Sequence, residues 1–240
     1  MLIGPQNLAL LVSEVRSRID RAARIAGRDP AAVTLIAVSK AQSAELVRAA
    51  ATAGVTDFGE NYLQEALAKI EALRNEAPRE GGAAAAGLTW HFIGALQSNK
   101  TRAISERFDW VHSLDRYSAA RRLSEQRPFH APPLNLCIQV ALVPEPNKGG
   151  LPPAELAELA QRIAELPRLK LRGLMCVPPP QQNHEAQRPL FARLRELKDE
   201  LNALGLGLDT LSMGMSADYE VAIAEGATQV RIGTALFGAR

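Results

Sequence analysis

A lysine placed after an apolar run is the first feature of this sequence that could do chemistry. Lys40 follows the apolar residues of TLIAVSK (34–40) and a serine. Partial desolvation of a lysine at such a place favours the neutral amine, which is nucleophilic and forms Schiff bases with carbonyl compounds. A solvated strand terminus is the plainer interpretation of one lysine taken alone.

Small and hydroxyl-bearing residues near the end of the sequence are the second feature. Ser212 and then Ser216 lie in one segment, and Gly233 and Thr234 lie in the next. Small residues let a backbone approach a phosphate closely, and serine and threonine add hydroxyl donors. Turns and close packing would explain either segment alone, but the two together favour a phosphate site.

An arginine accompanies these segments. Arg231 stands two residues before Gly233 in an otherwise apolar run, and a buried guanidinium needs an acceptor. It either pairs with a carboxylate or donates to a ring nitrogen of a ligand. A carbonyl-seeking lysine, a phosphate cradle and a donor to a ring nitrogen are together what pyridoxal 5′-phosphate (PLP) requires.

The elements that must position these residues alternate along the chain. Short β-branched or aromatic runs recur about every 30 residues, with helix-period stretches between them. The runs are 34–40, 56–60, 88–94, 109–115, 134–142, 169–177, 210–215 and 229–238. Several are almost continuously apolar, which is typical of parallel strands covered on both faces. We predict an α/β fold, a single (β/α)8 TIM-type barrel domain over residues 1–240, with its reactive groups at the carboxyl ends of the strands.

An extra amphipathic helix is predicted over residues 7–26. The sequence ends directly after the eighth run, so we expect neither an eighth helix nor a second domain. We expect the extra helix to fill the vacant place in the helical ring. Its apolar stripe is Leu8, Leu11, Val12, Val15, Ile19 and Ala22.

Composition and charge exclude several classes of protein. Of 240 residues 47% are hydrophobic, which excludes a disordered chain, and the formal net charge of +2 gives no field for nucleic acid. Cys137 and Cys176 each lie in an apolar stretch and are expected to be reduced and buried. No run reaches the roughly 18 apolar residues of a membrane span, and the first residues lack a signal peptide's basic region. We expect a cytoplasmic monomer with neither a membrane nor a nucleic-acid partner.

The remaining polar residues carry weaker signals. His91 and His112 fall in the third and fourth runs and could face each other across the barrel, but no metal-binding spacing accompanies them, so no metal site is expected. Glu60 is either an acid or base or the partner of a nearby cation. The tract GGAAAAG (81–87) is expected to be a flexible surface connection.

Several stretches closely resemble the pyridoxal-phosphate homeostasis proteins, the YggS/PROSC family, which are similar to the barrel domain of alanine racemases. The stretches are AVSK (37–40), FGENYLQEA (58–66), WHFIGALQSNK (90–100), VHSLDR (111–116), GLMCVP (173–178) and 211–240. The resemblance implies that Lys40 carries PLP as a Schiff base. It also implies that the phosphate is bound by Ser212, Gly233 and Thr234, that Arg231 is the partner of the pyridine nitrogen, and that Asn61 lies near the cofactor ring.

The resemblance implies a handler of PLP without established turnover, with apo-PLP enzymes as possible recipients. Two alternatives are a PLP-dependent racemase and a Schiff-base aldolase acting on a phosphorylated sugar. Racemisation needs an acid–base group on each face of the substrate carbon, and the sequence ends before any domain that would bring the second. The sequence departs from the family in Ala141 after the fifth run and in Asn147, Lys148 and Gly149 of the following loop.

Overall fold

Eight parallel strands pair in chain order and close into a barrel, β8 lying beside β1. The computed structural model describes residues 5–76, 87–143, 149–179 and 183–238. The strands are β1 (Thr34–Val38), β2 (Asp57–Glu60), β3 (Thr89–Phe92), β4 (Trp110–Leu114), β5 (Leu134–Gln139), β6 (Leu169–Met175), β7 (Thr210–Met215) and β8 (Gln229–Ile232). All eight predicted runs contain a strand, and the predicted (β/α)8 barrel is confirmed.

Helices lie between the strands and cover the outside of the barrel. They are α1 (Pro5–Ile25), α2 (Ala44–Thr52), α3 (Leu63–Glu76), α4 (Thr101–Arg107), α5 (Tyr117–Gln126), α6 (Leu156–Ala164), α7 (Arg188–Ala203), α8 (Tyr219–Ala224) and α9 (Thr234–Phe237). The helices cover the outer face of the sheet, and closure of the barrel encloses its inner face. Burial of both faces explains why the strands are so continuously apolar. No helix in the described ranges has both the length and the apolar character needed to cross a membrane.

Helix α1 occupies the eighth place of the helical ring, as predicted. It packs against α2, α8 and α9, between the first and last elements of the barrel. The buried stripe of α1 is Leu8, Val12, Val15, Ile19 and Ala23. Leu10, on the opposite face, is exposed. The hydrophobic pattern therefore fixes both the existence of α1 and the face that it buries.

The end of the eighth run differs from the expectation. Strand β8 stops at Ile232, and Thr234–Phe237 forms the one-turn helix α9, so the expectation of no helix after the eighth strand is wrong. The apolar side chains of Leu236 and Phe237 are buried by this turn and not by a strand. Apolar content alone cannot distinguish the two. The predicted flexible tract lies outside the described residues from 81 to 86, as do Asn147 and Lys148.

Candidate functional site

Lys40 lies at the carboxyl end of β1, two residues beyond its last residue. It is half-buried and lines a cavity of about 270 Å³ together with Gly233 and Thr234. Gly233 follows β8, and a Cβ added to it would lie 3.3 Å from the Cβ of Val38. The closure of β8 onto β1 thus brings together three of the residues singled out in the sequence.

The backbone just before Lys40 is held by an ion pair from α3. Lys69 Nζ donates to the carbonyl oxygen of Ser39 at 2.6 Å and to Glu60 Oε1 at 2.8 Å. Ser39 Oγ donates to the same carboxylate oxygen at 2.6 Å. Burial raises the pKa of Glu60, and the hydrogen bonds from Lys69 and Ser39 oppose that rise. Of the two readings of Glu60, the structure shows an ion pair with a neighbouring lysine.

The backbone just after Lys40 is held from the same helix. The amide of Ala41 donates to Glu65 Oε1, which also accepts a hydrogen bond from Lys69. Ala41 has a φ of 59°, a left-handed conformation that costs free energy for any residue with a Cβ. The contact with Glu65 offsets that cost, so the backbone is held on both sides of Lys40.

The two serines of the seventh segment lie in different places. Ser212 lies within β7 and is fully buried, with His112 Nδ1 2.8 Å and Arg231 Nη1 2.6 Å from its hydroxyl oxygen. Ser216 is the first residue after β7, and its hydroxyl accepts long hydrogen bonds of 3.3 Å from the amides of Gly233 and Ala235. The hydroxyl next to Gly233 is therefore that of Ser216. Residues beyond a strand's carboxyl end reach the mouth of a barrel, whereas an inward residue of the strand lies in its interior.

Arg231 is enclosed in the barrel, with 4% of its surface exposed. Its guanidinium donates to Ser212 Oγ through Nη1 and, at 2.8 Å, to the carbonyl oxygen of Cys176 through Nη2. Burial lowers the pKa of the Arg231 guanidinium, which nevertheless stays charged near neutral pH. The acceptors in the structure are a hydroxyl and a carbonyl, and not the carboxylate that was one of the two sequence interpretations.

The two histidines of the third and fourth runs touch, as the sequence suggested. His91 Nδ1 and His112 Nε2 are 2.9 Å apart, and Trp110 stacks on the ring of His91 with 5.6 Å between ring centroids. His91 Nε2 lies 2.9 Å from Asp57 Oδ1. Among the described residues no three histidine, cysteine, aspartate or glutamate side chains are grouped as metal ligands.

Asn61 follows β2 and lines a second, larger cavity of about 460 Å³ at the barrel mouth. Cys176, whose carbonyl oxygen accepts from Arg231, lines the same cavity. Among the described residues, Asn61 Oδ1 is buried and has no hydrogen-bond partner. Such an atom carries a desolvation cost that a ligand donor would remove. The structure places Asn61 in a different cavity from Lys40.

Sequence reasoning missed the residues that hold the lysine in place. Lys69 and Glu65 are spaced i, i+4 on α3, a spacing that is common on solvated helix faces. Nothing local distinguishes this pair from a surface pair. Only the contacts of Lys69 with Ser39 and Glu60, at the ends of β1 and β2, bury the lysine of this pair.

Comparison with known proteins places these residues in a family. Residues 12–240 match the family described as alanine racemase, N-terminal domain. A protein from Pseudomonas aeruginosa named pyridoxal phosphate homeostasis protein is 57% identical over 229 residues, covering 95% of this chain and 94% of that protein. One of the same name from Escherichia coli K12 is 46% identical over 234 residues, covering 98% and 97% respectively.

A solved structure gives the same result for the fold. The PipY protein of Synechococcus elongatus, determined with PLP bound, superposes with a TM-score of 0.78 at 40% sequence identity. The alignment covers 92% of this chain and all of that one. The likeness therefore extends over the whole barrel and is not confined to one motif.

Proposed function

Because this chain belongs to the family of the pyridoxal phosphate homeostasis proteins, we propose that it binds PLP at the carboxyl end of its barrel. The role is to hold the cofactor for intracellular PLP homeostasis and to release it to apo-enzymes. The barrel would do so as one domain and as a cytoplasmic monomer. The observation that carries the proposal is the meeting of Lys40, Gly233 and Thr234 in one cavity.

The donors at one end of this cavity suit a phosphate. The amides of Gly233 and Ala235 both point to the hydroxyl of Ser216, and Thr234 adds another hydroxyl. Contacts of 3.3 Å leave these amides free to make shorter bonds to an anionic oxygen. Gly233, Thr234 and Ser216 would hold the phosphate directly. Ser212, which the family resemblance also assigns to the phosphate, would act from the interior through its bond to Arg231.

Lys40 would attach the cofactor covalently. Its neutral amine would add to an aldehyde carbon, and loss of the aldehyde oxygen as water would leave a Schiff base. The hydrogen bonds made by Ser39 and Ala41 hold the backbone on both sides of Lys40, so the backbone loses little further conformational entropy when the amine reacts. Asn61, with its unpartnered oxygen, would meet a donor near the ring.

Arg231 makes holding more suitable than turnover. PLP supplies an electron sink when its pyridine nitrogen is protonated. The guanidinium of Arg231 has only donors and stays charged, so it would bind a pyridine nitrogen that carries no proton. That ring withdraws electrons weakly. The names of the relatives, which refer to homeostasis, support the same conclusion.

An absorption spectrum combined with reduction tests the assignment of the lysine. Protein incubated with PLP is expected to absorb in the visible and, after borohydride treatment, to carry the pyridoxyl group on Lys40 in peptide maps. Lys40→Ala is expected to lose both signals, whereas the matched surface variant Lys170→Ala keeps both. Labelling of another lysine in the unaltered protein would show the assignment to be wrong.

Deuterium exchange at the α-carbon of amino acids tests for turnover. The protein loaded with PLP is expected to exchange the α-hydrogens of common amino acids slowly or not measurably by NMR. Turnover on the order of 1 s⁻¹, within the usual range of enzymes, would instead establish a racemase-like enzyme.

Transfer of the cofactor is tested by mixing the PLP-loaded protein with a purified apo-PLP enzyme. The apo-enzyme is expected to regain activity as the PLP-loaded protein loses its visible absorption band.

A further inference from the structure

Five polar side chains form an unbroken hydrogen-bonded chain through the interior of the barrel. It begins at Arg231 of β8 and passes to Ser212 of β7 at 2.6 Å, then to His112 of β4 at 2.8 Å. It continues to His91 of β3 and ends at Asp57 of β2, each at 2.9 Å. We call these residues the polar chain.

The polar chain runs from the cofactor end of the barrel to the opposite end. Arg231 donates to the carbonyl oxygen of Cys176, which lines the larger cavity at the barrel mouth. Asp57 is the first residue of β2 and lines a cavity of about 580 Å³ at the amino ends of the strands. His91, His112 and Ser212 are fully buried, but the side chain of Asp57 is 18% exposed. Within the polar chain, Asp57 is therefore the most exposed member.

The two ends determine where the hydrogens lie. Arg231 can only donate, so Ser212 Oγ accepts from it, and an ionised Asp57 can only accept, so His91 carries its hydrogen on Nε2. With both histidines neutral, one arrangement satisfies every atom: the Ser212 hydroxyl donates to His112 Nδ1, and His112 Nε2–H donates to His91 Nδ1. All four bonds then point from Arg231 toward Asp57.

The ionisation of these groups agrees with that arrangement. Burial, followed by the charges of His91 and Arg231, holds the pKa of His112 well below its ordinary value. Burial acts to raise the pKa of Asp57, but hydrogen bonds from His91 and Thr56 outweigh it, and the pKa lies below its ordinary value. A neutral His112 and a charged Asp57 are what the single donor direction requires.

Other ionisable groups surround both ends. Arg16 of α1 lies near Asp57. Near Arg231 lie Cys137 of β5, Cys176 after β6 and Asp218 before α8. Burial raises the pKa of each thiol to about 12, so both thiols are uncharged near neutral pH.

Two further charged groups near the polar chain, Asp218 and Arg172, have partners of their own. Asp218 accepts a hydrogen bond from the amide of Met215. Arg172 of β6 lies over the ring of Trp110, 5.0 Å from its centre. The arginines keep their charge at any pH near neutral.

We propose, on the basis of the proposed PLP function, that His91 and His112 are positioning residues for Arg231 and that the donor direction they set determines how firmly PLP is held. The neutral pair fixes Ser212 as the acceptor for Arg231.

Histidine NMR tests the arrangement without the cofactor. In ¹⁵N-labelled protein at neutral pH, both His91 and His112 are expected to carry their hydrogen on Nε2, with assignments from His91→Gln and His112→Gln. A hydrogen on Nδ1 of His112 would overturn the proposal, whatever the protein binds. Failure of PLP binding alone would count against the proposed function and leave this result standing.

Two variants of His112 separate its two bonds. An asparagine amide reaches the position of Nδ1 and a glutamine amide that of Nε2, so His112→Asn keeps an acceptor for Ser212 and His112→Gln loses it. We expect His112→Gln to raise the Kd for PLP about tenfold, near the upper end of the effect of one lost neutral hydrogen bond, and His112→Asn to stay within about threefold. The exposed His130→Gln is the control. Equal Kd values for the Asn and Gln variants would overturn the proposal.

Discussion

Lys69 Nζ lies 2.6 Å from the carbonyl oxygen of Ser39, so a buried ammonium on α3 holds the residue that precedes the site lysine. The same ammonium pairs with Glu60, whose side chain is fully buried. A charge pair is thus placed directly beneath the end of β1. Burying a pair costs desolvation free energy that good geometry offsets, and here the geometry also fixes the backbone before Lys40.

Removing the ammonium is expected to be costly. Lys69→Met leaves Glu60 buried without its cation and is expected to lower the free energy of unfolding by about 3–5 kcal/mol. Urea denaturation measures this change. The double variant Lys69→Met, Glu60→Gln removes both charges and is expected to recover most of the loss. A single variant as stable as the unaltered protein would mean that the pair contributes nothing.

Helix α1 is expected to be essential to the barrel through its buried stripe. Ile19 is 3% exposed, and Ile19→Ala is expected to lower the free energy of unfolding by about 2–5 kcal/mol. Leu10 is 71% exposed on the same helix, and Leu10→Ala is expected to stay within about 0.5 kcal/mol. Thermal and urea melts of both variants check the difference. Equal effects would contradict the docking of this face.

Gly94 is expected to control the position of Asn61. A Cβ at Gly94 would lie 2.0 Å from the carbonyl oxygen of Asn61, so Gly94→Ala must push that backbone away. We expect a loss of about 1–3 kcal/mol in stability and at least about a tenfold weaker hold on PLP. Gly149 lines the same cavity, and a Cβ there meets its nearest atom at an ordinary 3.5 Å. Gly149→Ala is therefore the control, and titration with PLP is the measurement.

The buried His112 is expected to make the free energy of unfolding fall as the pH is lowered. Its pKa in the folded protein lies well below the ordinary 6.5, so the unfolded chain takes up a proton below about pH 6.5 that the folded protein does not. The free energy of unfolding therefore falls as pH drops from there toward the folded pKa, by up to about 1.4 kcal/mol per pH unit. Urea melts of the unaltered protein, of His112→Asn and of the exposed His184→Gln measure this slope. Only His112→Asn is expected to reduce it.

The barrel and the neighbours of Lys40 could be predicted because they depend on strong local signals. Buried parallel strands leave apolar runs, and a (β/α)8 barrel then places the ends of β1 and β8 side by side. The last turn, Thr234–Phe237, was not predicted because an apolar segment suits a strand and a helix equally. Ser216 was distinguishable from Ser212 only once β7 was seen to end at Met215.

The polar interior could not be predicted for a different reason. The hydrogen bond between His112 and Ser212 joins residues a hundred positions apart, and that from Arg231 to Cys176 joins residues 55 apart. Their pairing depends on the stagger of the strands around the barrel, which no local pattern specifies. The sequence reasoning reached the contact between His91 and His112 because they lie on adjacent strands.

The pairing of β1 with β8 has a consequence for the synthesis of the protein. Thr34 lies opposite Gln229, so the first strand has no neighbour on one side until nearly the whole chain has left the ribosome. At about 5–20 residues per second this interval is roughly 10–40 s. Lys40 meets Gly233 only after it. Cofactor capture by the cavity between Lys40 and Gly233 is therefore expected to be a post-translational event.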